Sequence, residues 1–146
     1  MSVDVVTLAI PARTEYLILA RLALAGIARE VEIDQATLAD LKLAVTEACG
    51  NAVQHAQPGD EGMVTVRFMV SDDAIEIRVE DDGPGMDAAP AAVLPEGELP
   101  EGELSESGMG LAIIHALVDR VEIGPGVGGR GTTVRMRRLR SAGSSA

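Results

Sequence analysis

Glu47 and Asn51 are the first residues whose types and spacing could support a reaction. They lie four positions apart in a segment with helical periodicity, so their side chains would stack one turn above the other. A carboxylate placed there can take a proton or order a nucleophile, and an amide oxygen can bind Mg²⁺. The same spacing is common on solvated helix edges, and His55, one turn further on, is typical of a polar residue at a helix end.

Asp81-Asp82-Gly83-Pro84-Gly85 supplies a second candidate group, directly after a predicted buried strand. Asp81 could accept a hydrogen bond from an exocyclic amine such as that of adenine, which would anchor a ligand in an otherwise apolar pocket. Gly83 and Gly85 would let the backbone turn sharply and approach that ligand. Taken alone, the segment is equally compatible with a simple turn.

Ser107-Gly108-Met109-Gly110 lies where a predicted loop becomes a helix. Glycine amides and the positive end of a helix can form an anion site without any basic side chain. Residues 80–106 contain nine acidic residues and no Lys or Arg, so a phosphate chain there would need backbone dipoles and a metal ion to neutralise it. Thr132, after Gly131 at the start of the last predicted strand, could add a polar contact. The alternative for both segments is a flexible glycine hinge or an ordinary turn.

The first half of the chain predicts one strand and two helices. A β-rich run over 3–10 ends at Pro11, and Thr14 is placed to cap a helix over about 15–30. That helix is apolar nearly all round, so it must be covered on more than one side, within the domain or by a second subunit. Asp34 is placed to cap the next helix, which carries apolar residues at steps of three and four. These residues are Leu38, Leu41, Val45, Ala48 and Ala52.

The second half predicts two pairs of strands and one more helix. Alternating apolar residues over 63–70 and 75–79 indicate an antiparallel hairpin with one buried face. A short helix is expected over about 109–119, with strands over 120–123 and 132–138. This order predicts an α+β fold of two layers, in which helices cover one face of a mixed, mostly antiparallel sheet.

Composition and charge limit the classes of function. With 146 residues, 47% hydrophobic and 24% charged, the chain is expected to form one globular domain, over residues 1–140. Twelve basic residues against 23 acidic ones give a net charge of −11, which argues against direct binding to nucleic acid or to an anionic membrane. The most apolar stretch, 16–28, is too short to span a bilayer. With no secretion signal and a single cysteine, Cys49, a cytoplasmic location is expected.

Residues 86–107 show neither helical nor strand periodicity. The unit Pro-Glu-Gly-Glu-Leu occurs twice there, at 95–99 and 100–104. This pattern predicts a mobile loop. The end of the chain, 141–146, is predicted to be disordered.

Taken together, the four motifs resemble the ATP-binding Bergerat fold shared by gyrase, heat-shock chaperones, histidine kinases and mismatch-repair proteins. The motifs are Glu-x-x-x-Asn on a helix, Asp-x-Gly-x-Gly after a strand, Gly-x-Gly opening a helix, and Gly-Thr before the final strand. Within that superfamily, residues 41–56 resemble the anti-sigma-factor serine-protein kinases of the RsbW type. Glu15-Tyr16, Arg21-Leu22 and residues 104–111 are similar as well, so the resemblance covers about residues 5–138.

The resemblance implies a role for each motif residue. Glu47 would be the general base for a protein serine hydroxyl, Asn51 would hold Mg²⁺, Asp81 would bind the adenine amine, and Arg21 would lie on the partner-binding surface. The loop 86–107 would be a lid over ATP. The implied nucleotide-binding residues are Asn51, Asp81, Gly83, Gly85, Gly108, Met109, Gly110, Leu111, Gly131 and Thr132.

The same resemblance implies what the protein acts on. Such kinases bind and block a sigma factor, phosphorylate a STAS-domain antagonist on serine or threonine with ATP and Mg²⁺, regulate transcription under stress, and are usually homodimers. An alternative is a nucleotide-responsive anti-sigma or adaptor module that transfers no phosphate. The catalytic half of a sensor histidine kinase is less well supported, because no helical hairpin with a phosphoacceptor histidine is present. A purely structural protein would bind no nucleotide.

Overall fold

The computed structural model describes residues 3–56, 62–83, 106–126 and 129–140. Its elements are, in chain order, β1 (Asp4–Pro11), α1 (Leu17–Glu30), α2 (Gln35–His55), β2 (Met63–Val70), β3 (Ala74–Asp81), α3 (Glu106–Leu117), β4 (Arg120–Pro125) and β5 (Thr132–Leu139). A 3-10 turn, Thr14–Tyr16, precedes α1. Most of the predicted loop, residues 86–105, and the predicted disordered end, 141–146, lie outside the described residues.

The five strands form one sheet in the order β1-β2-β3-β5-β4. Every pairing among them is antiparallel. The predicted hairpin is confirmed, with Phe68 directly opposite Ile77, because the alternating residues place one apolar face toward the helices. The α+β class is therefore confirmed, and the described strands show no parallel pair.

The core lies between the helices and one face of the sheet. Helix α2 packs against α1, α3 and the central strands, because its apolar residues recur on one side. The largest fully buried side chain is Phe68, the single phenylalanine of the chain. The other large, fully buried residues include Ile10, Leu24, Leu41, Ile75, Ile77, Ile114 and Met136.

The helix starts confirm one predicted cap and correct another. The backbone N–H of Thr37 donates to Asp34 Oδ1 at 3.3 Å, so Asp34 caps α2 as predicted. The prediction for Thr14 is wrong, because Thr14 lies inside the 3-10 turn and the extended residue before that turn is Arg13. Helix α3 begins at Glu106 and ends at Leu117, slightly earlier at both ends than the expected range.

Helix α1 is covered on only one side by the described residues. Ala20 and Leu24 are buried in the core, whereas Ile18, Leu19 and Leu22 are exposed. Packing within the described part of the chain therefore covers one face of α1, and the face that a second subunit could cover stays exposed.

Candidate functional site

Helix α2 places Glu47 and Asn51 side by side at the edge of its buried stripe. Their neighbours Ala48, Cys49 and Ala52 are in the core, while Glu47 and Asn51 are both half-buried. The helix geometry separates them by one turn. The predicted stacking of a carboxylate above an amide is therefore present, and both groups lie at the boundary between core and solvent.

Gly110 of α3 faces these two side chains. A Cβ atom at Gly110 would lie 3.1 Å from Glu47 Oε1 and 3.2 Å from Asn51 Nδ2. The glycine is buried, and α3 is anchored against α2 by the buried Ile114 one turn further on. The absence of a side chain at Gly110 keeps the space next to the carboxylate and the amide open.

Asp81 ends β3 and is held in place by the backbone that follows it. Its Oδ1 accepts a hydrogen bond from the N–H of Gly83 at 2.8 Å, and the register places Asp81 directly opposite Thr132. Asp82 points elsewhere, since its Oδ2 accepts from the N–H of Met63 at 3.1 Å. Of the two neighbouring carboxylates, Asp81 is thus the half-buried one and Asp82 is exposed.

Burial raises the pKa of Asp81 above its ordinary value. The hydrogen bond from Gly83, the charge of His55 and the backbone of Thr132 act in the opposite direction but do not offset the burial, and Asp82 adds to the rise. The folded chain disfavours the ionised form of Asp81 more than the unfolded chain does, so this group stabilises the fold most at low pH, where it is neutral in both states. That contribution is lost as the pH rises through the raised pKa.

Two glycines allow the segments around Asp81 to approach closely. A Cβ at Gly83 would clash with the carbonyl oxygen of His55, at the end of α2, and a Cβ at Gly131 would clash with the carbonyl oxygen of Asp81. Gly131 also has φ of 71°, which favours glycine. These contacts bring the end of β3, the end of α2 and the turn before β5 together.

The described site residues form a row along α2. Glu47 and Asn51 face Gly110, and one turn beyond Asn51 the carbonyl of His55 faces Gly83 next to Asp81. The sequence predicts His55 to be an ordinary residue at a helix end, and its side chain is exposed there. The structure adds a charge interaction of His55 with Asp81, which the sequence indicates only through the spacing 47, 51, 55 along one helix edge.

The remaining predicted residues differ in what the structure says of them. Gly108 and Met109 lie in the first turns of α3, and Gly85 lies outside the described residues. Leu111 is partly buried and packs against the hydrophobic core. Arg21 is exposed on α1.

The donor set beside Gly110 suits a magnesium ion shared with a phosphate ligand. Mg²⁺ keeps several waters and takes one or two protein oxygens together with substrate phosphates. The Asn51 amide oxygen supplies one such oxygen, and the carboxylate of Glu47 lies beside it, around a position that a Cβ at Gly110 would narrow. Within the described residues no group of three or more His, Cys, Asp or Glu converges on a metal position, so an all-protein metal cage is not found there.

Comparison with known proteins gives the family. The model of the histidine kinase-like ATPase domain matches residues 10–138. The serine-protein kinase RsbW of Listeria monocytogenes serotype 4a is 38% identical over 128 residues, which cover 82% of this chain and 79% of that protein. RsbW of Bacillus licheniformis is 41% identical over 130 residues, covering 85% and 81%.

A solved structure shares the fold. The crystal structure of the RsbU and RsbW domains of Rv1364c from Mycobacterium tuberculosis matches with a TM-score of 0.66 and 24% identity, over 93% of this chain and 32% of that one. No described helix is long and apolar enough to cross a membrane. The chain belongs to the histidine kinase-like ATPase family and, within it, to the serine-protein kinases of the RsbW type.

Proposed function

We propose that this chain is an ATP-dependent protein-serine/threonine kinase and anti-sigma factor, built as one ATP-binding domain over residues 1–140. It would bind a sigma factor and phosphorylate a STAS-domain antagonist in the cytoplasm as part of a stress response. The observation that carries the proposal is the position of Gly110, whose missing side chain leaves Glu47 and Asn51 open toward the start of α3. A carboxylate, an amide and a helix start at one place are the parts that phosphoryl transfer requires.

In this mechanism Glu47 is the general base. Its carboxylate accepts the proton of the incoming serine or threonine hydroxyl while the hydroxyl oxygen bonds to the γ-phosphorus of ATP. The bond from that phosphorus to the β–γ bridging oxygen breaks, and ADP leaves with the electron pair. Most of the rate enhancement comes from positioning the hydroxyl in line with the leaving group.

Asn51 is proposed to hold Mg²⁺ through its amide oxygen. The metal ion, when bound, supplies positive charge across the phosphates, which this part of the chain lacks in its side chains. The free backbone N–H groups in the first turn of α3, at and around Gly108, would donate to the same phosphates. Gly110 would contribute the open space beside Glu47 and Asn51. Met109 and Leu111 remain proposed nucleotide contacts on the same helix.

Asp81 is proposed to accept a hydrogen bond from the adenine amine. The N–H of Gly83 fixes its carboxylate at 2.8 Å, and the close approach at Gly131 fixes the turn that brings Thr132 beside it. Gly83, Gly131 and Thr132 therefore shape the adenine end of the pocket, with Gly85 as a further expected contact. A group held this rigidly can discriminate adenine from guanine, whose carbonyl offers no donor at that position.

The proposed partners bind at α1. Arg21 lies on its exposed side, together with the exposed apolar residues Ile18, Leu19 and Leu22. Apolar side chains grouped in this way are typical of a protein interface. We propose that this surface serves a homodimer and the sigma factor or its antagonist.

The test is transfer of labelled phosphate. The protein is incubated with γ-labelled Mg·ATP and the STAS-domain protein encoded nearest to it, with and without the sigma factor encoded in the same region. Label on a serine or threonine of the STAS protein, absent when that residue is replaced by alanine, supports the kinase. ATP binding without any transfer would instead support a nucleotide-responsive binding module.

A further inference from the structure

The face of the sheet opposite the helices carries a group of arginines. Alternate residues of β2, β3, β5 and β4 point away from the core, as the alternating burial of these strands shows. The arginine face, as we name it, consists of Arg67, Arg78, Arg120, Arg135 and Arg137. These are five of the 12 basic residues in a chain whose net charge is −11, so the face is locally positive on an acidic protein.

The strand register places like charges directly opposite one another on this face. Arg67 is opposite Arg78, Arg78 is opposite Arg135, and Arg120 is opposite Arg137. Like charges at directly opposed positions destabilise a sheet. The register also places opposite charges face to face, Glu76 opposite Arg137 and Glu122 opposite Arg135. Cross-strand charge pairing therefore accounts for part of the arrangement but not for the three arginine pairs.

Three glutamates on the same face neutralise only part of the charge. They pair as Glu80 with Arg67 at 2.6 Å, Glu76 with Arg78 at 2.7 Å, and Glu122 with Arg120 at 2.9 Å and with Arg135 at 3.7 Å. The guanidinium of Arg137 has no ion pair or hydrogen bond with any residue that the structure describes. Five arginines against three glutamates leave an excess of two positive charges.

The excess charge surrounds a depression in the sheet surface. The depression has a volume of about 160 Å³, enough for one or two small anionic groups. Its lining residues are Glu76, Arg78, Arg120, Glu122, Arg135 and Arg137. It therefore lies over β3, β5 and β4, where the unpaired Arg137 is located.

We propose that the arginine face binds an acidic segment of a partner protein, with two carboxylates seated against Arg120 and Arg137. Guanidinium groups bind carboxylates through two parallel hydrogen bonds, and two carboxylates match the excess of two positive charges. An extended segment could place alternate side chains on the face at the spacing of a strand. A nucleic acid fits less well, because the three glutamates lie among the arginines and would face its continuous row of phosphates.

This surface is separate from the proposed kinase site. Glu47, Asn51 and Gly110 lie in the helical layer, whereas the arginine face is on the other side of the sheet. Binding there requires neither ATP nor the carboxylate of Glu47. Failure of the acidic-segment proposal would leave the proposed kinase function untouched, and the reverse also holds.

The experiment uses a fluorescent peptide of alternating Glu and Gly and measures its anisotropy with the full-length protein at low ionic strength. An Arg120→Gln, Arg137→Gln double variant removes one opposed pair of like charges. It also removes the ion pair of Arg120 with Glu122, but both of those side chains are exposed, so the variant is expected to fold. The matched control is Arg13→Gln, Arg29→Gln, which changes the net charge equally outside the arginine face. Two further ligands are measured in the same way: a Gln-Gly peptide, which lacks the carboxylates, and a single-stranded DNA oligomer of similar length.

The proposal expects the Glu-Gly peptide to bind more tightly than the Gln-Gly peptide and to dissociate as salt is added. It expects the Arg120, Arg137 variant to bind the Glu-Gly peptide roughly tenfold more weakly, and the control variant to bind it like the wild type. Equal weakening in both double variants would overturn it, since only net charge would then matter. It is also overturned if the wild type binds no acidic peptide, or if the DNA binds more tightly through the same two arginines.

Discussion

Replacing Gly110 by alanine would fill the space between Glu47 and Asn51 while leaving the fold intact. The new Cβ would lie 3.1 Å from Glu47 Oε1 and 3.2 Å from Asn51 Nδ2, so both side chains would have to move by a few tenths of an ångström. Displacing flexible side chains from their preferred rotamers costs about 0.5–1.5 kcal/mol. Alanine in place of glycine inside a helix gains about 1 kcal/mol. The free energy of unfolding is therefore expected to change by less than about 1 kcal/mol.

The affinity for Mg·ATP is expected to fall much more. A methyl group would occupy the position that the metal ion and the phosphates need beside Glu47 and Asn51, and we expect at least a tenfold loss, about 1.4 kcal/mol. Titration calorimetry measures the affinity and urea unfolding measures the stability. Gly50→Ala is the matched control, because it lies in α2 with no atom within 4 Å of its added Cβ. Wild-type ATP affinity in Gly110→Ala would refute the proposed site.

Three further predictions concern the surroundings of the site. Asp81→Asn removes the half-buried carboxylate whose pKa is raised. At pH 7 the variant should therefore melt at or above the wild-type temperature, and the difference should vanish below about pH 4, where the carboxyl is neutral in both states. Its ATP affinity should fall roughly tenfold or more. Gly131→Ala should lower the free energy of unfolding by more than Gly129→Ala does. Both glycines have positive φ, but only at Gly131 would the added Cβ clash with backbone atoms. Urea unfolding of the two variants measures the difference. Arg138 donates to the carboxylate of Asp40 at 2.9 Å and to the carbonyl of Leu117 at 2.6 Å. Arg138→Met should therefore lower the free energy of unfolding by about 1–3 kcal/mol in the same assay. Arg137→Met, the control, should change it by no more than about 0.5 kcal/mol.

Local periodicity was sufficient to predict the elements that carry the site. The alternation in β2 and β3 and the steps of three and four in α2 both reflect a single buried face, and the structure buries those faces. The cap at Asp34 was predictable for a similar reason, since it depends on a side chain and a backbone N–H only three residues away. The predicted cap at Thr14 was wrong because Thr14 begins a 3-10 turn, and the extended residue before that turn is Arg13.

Contacts between distant segments could not be predicted from the residues alone. The close approach of Gly110 to Glu47 depends on how α3 packs against α2, and the pairing of Asp81 with Thr132 depends on the strand order β3-β5-β4. Motif order suggested these groupings only through resemblance to a family. The arginine face is of the same kind, because the pairing of Arg120 with Arg137 requires the register of β4 and β5.

In the proposed mechanism Glu47 takes the hydroxyl proton, while other groups bind the nucleotide. The test measures ATP affinity and phosphate transfer on the same sample of Glu47→Gln, with Asp72→Asn in the exposed turn between β2 and β3 as the control. We expect Glu47→Gln to bind ATP within a few-fold of the wild type and to transfer label to the STAS protein at least a hundredfold more slowly. Transfer at the wild-type rate in Glu47→Gln, with ATP still bound, would contradict it.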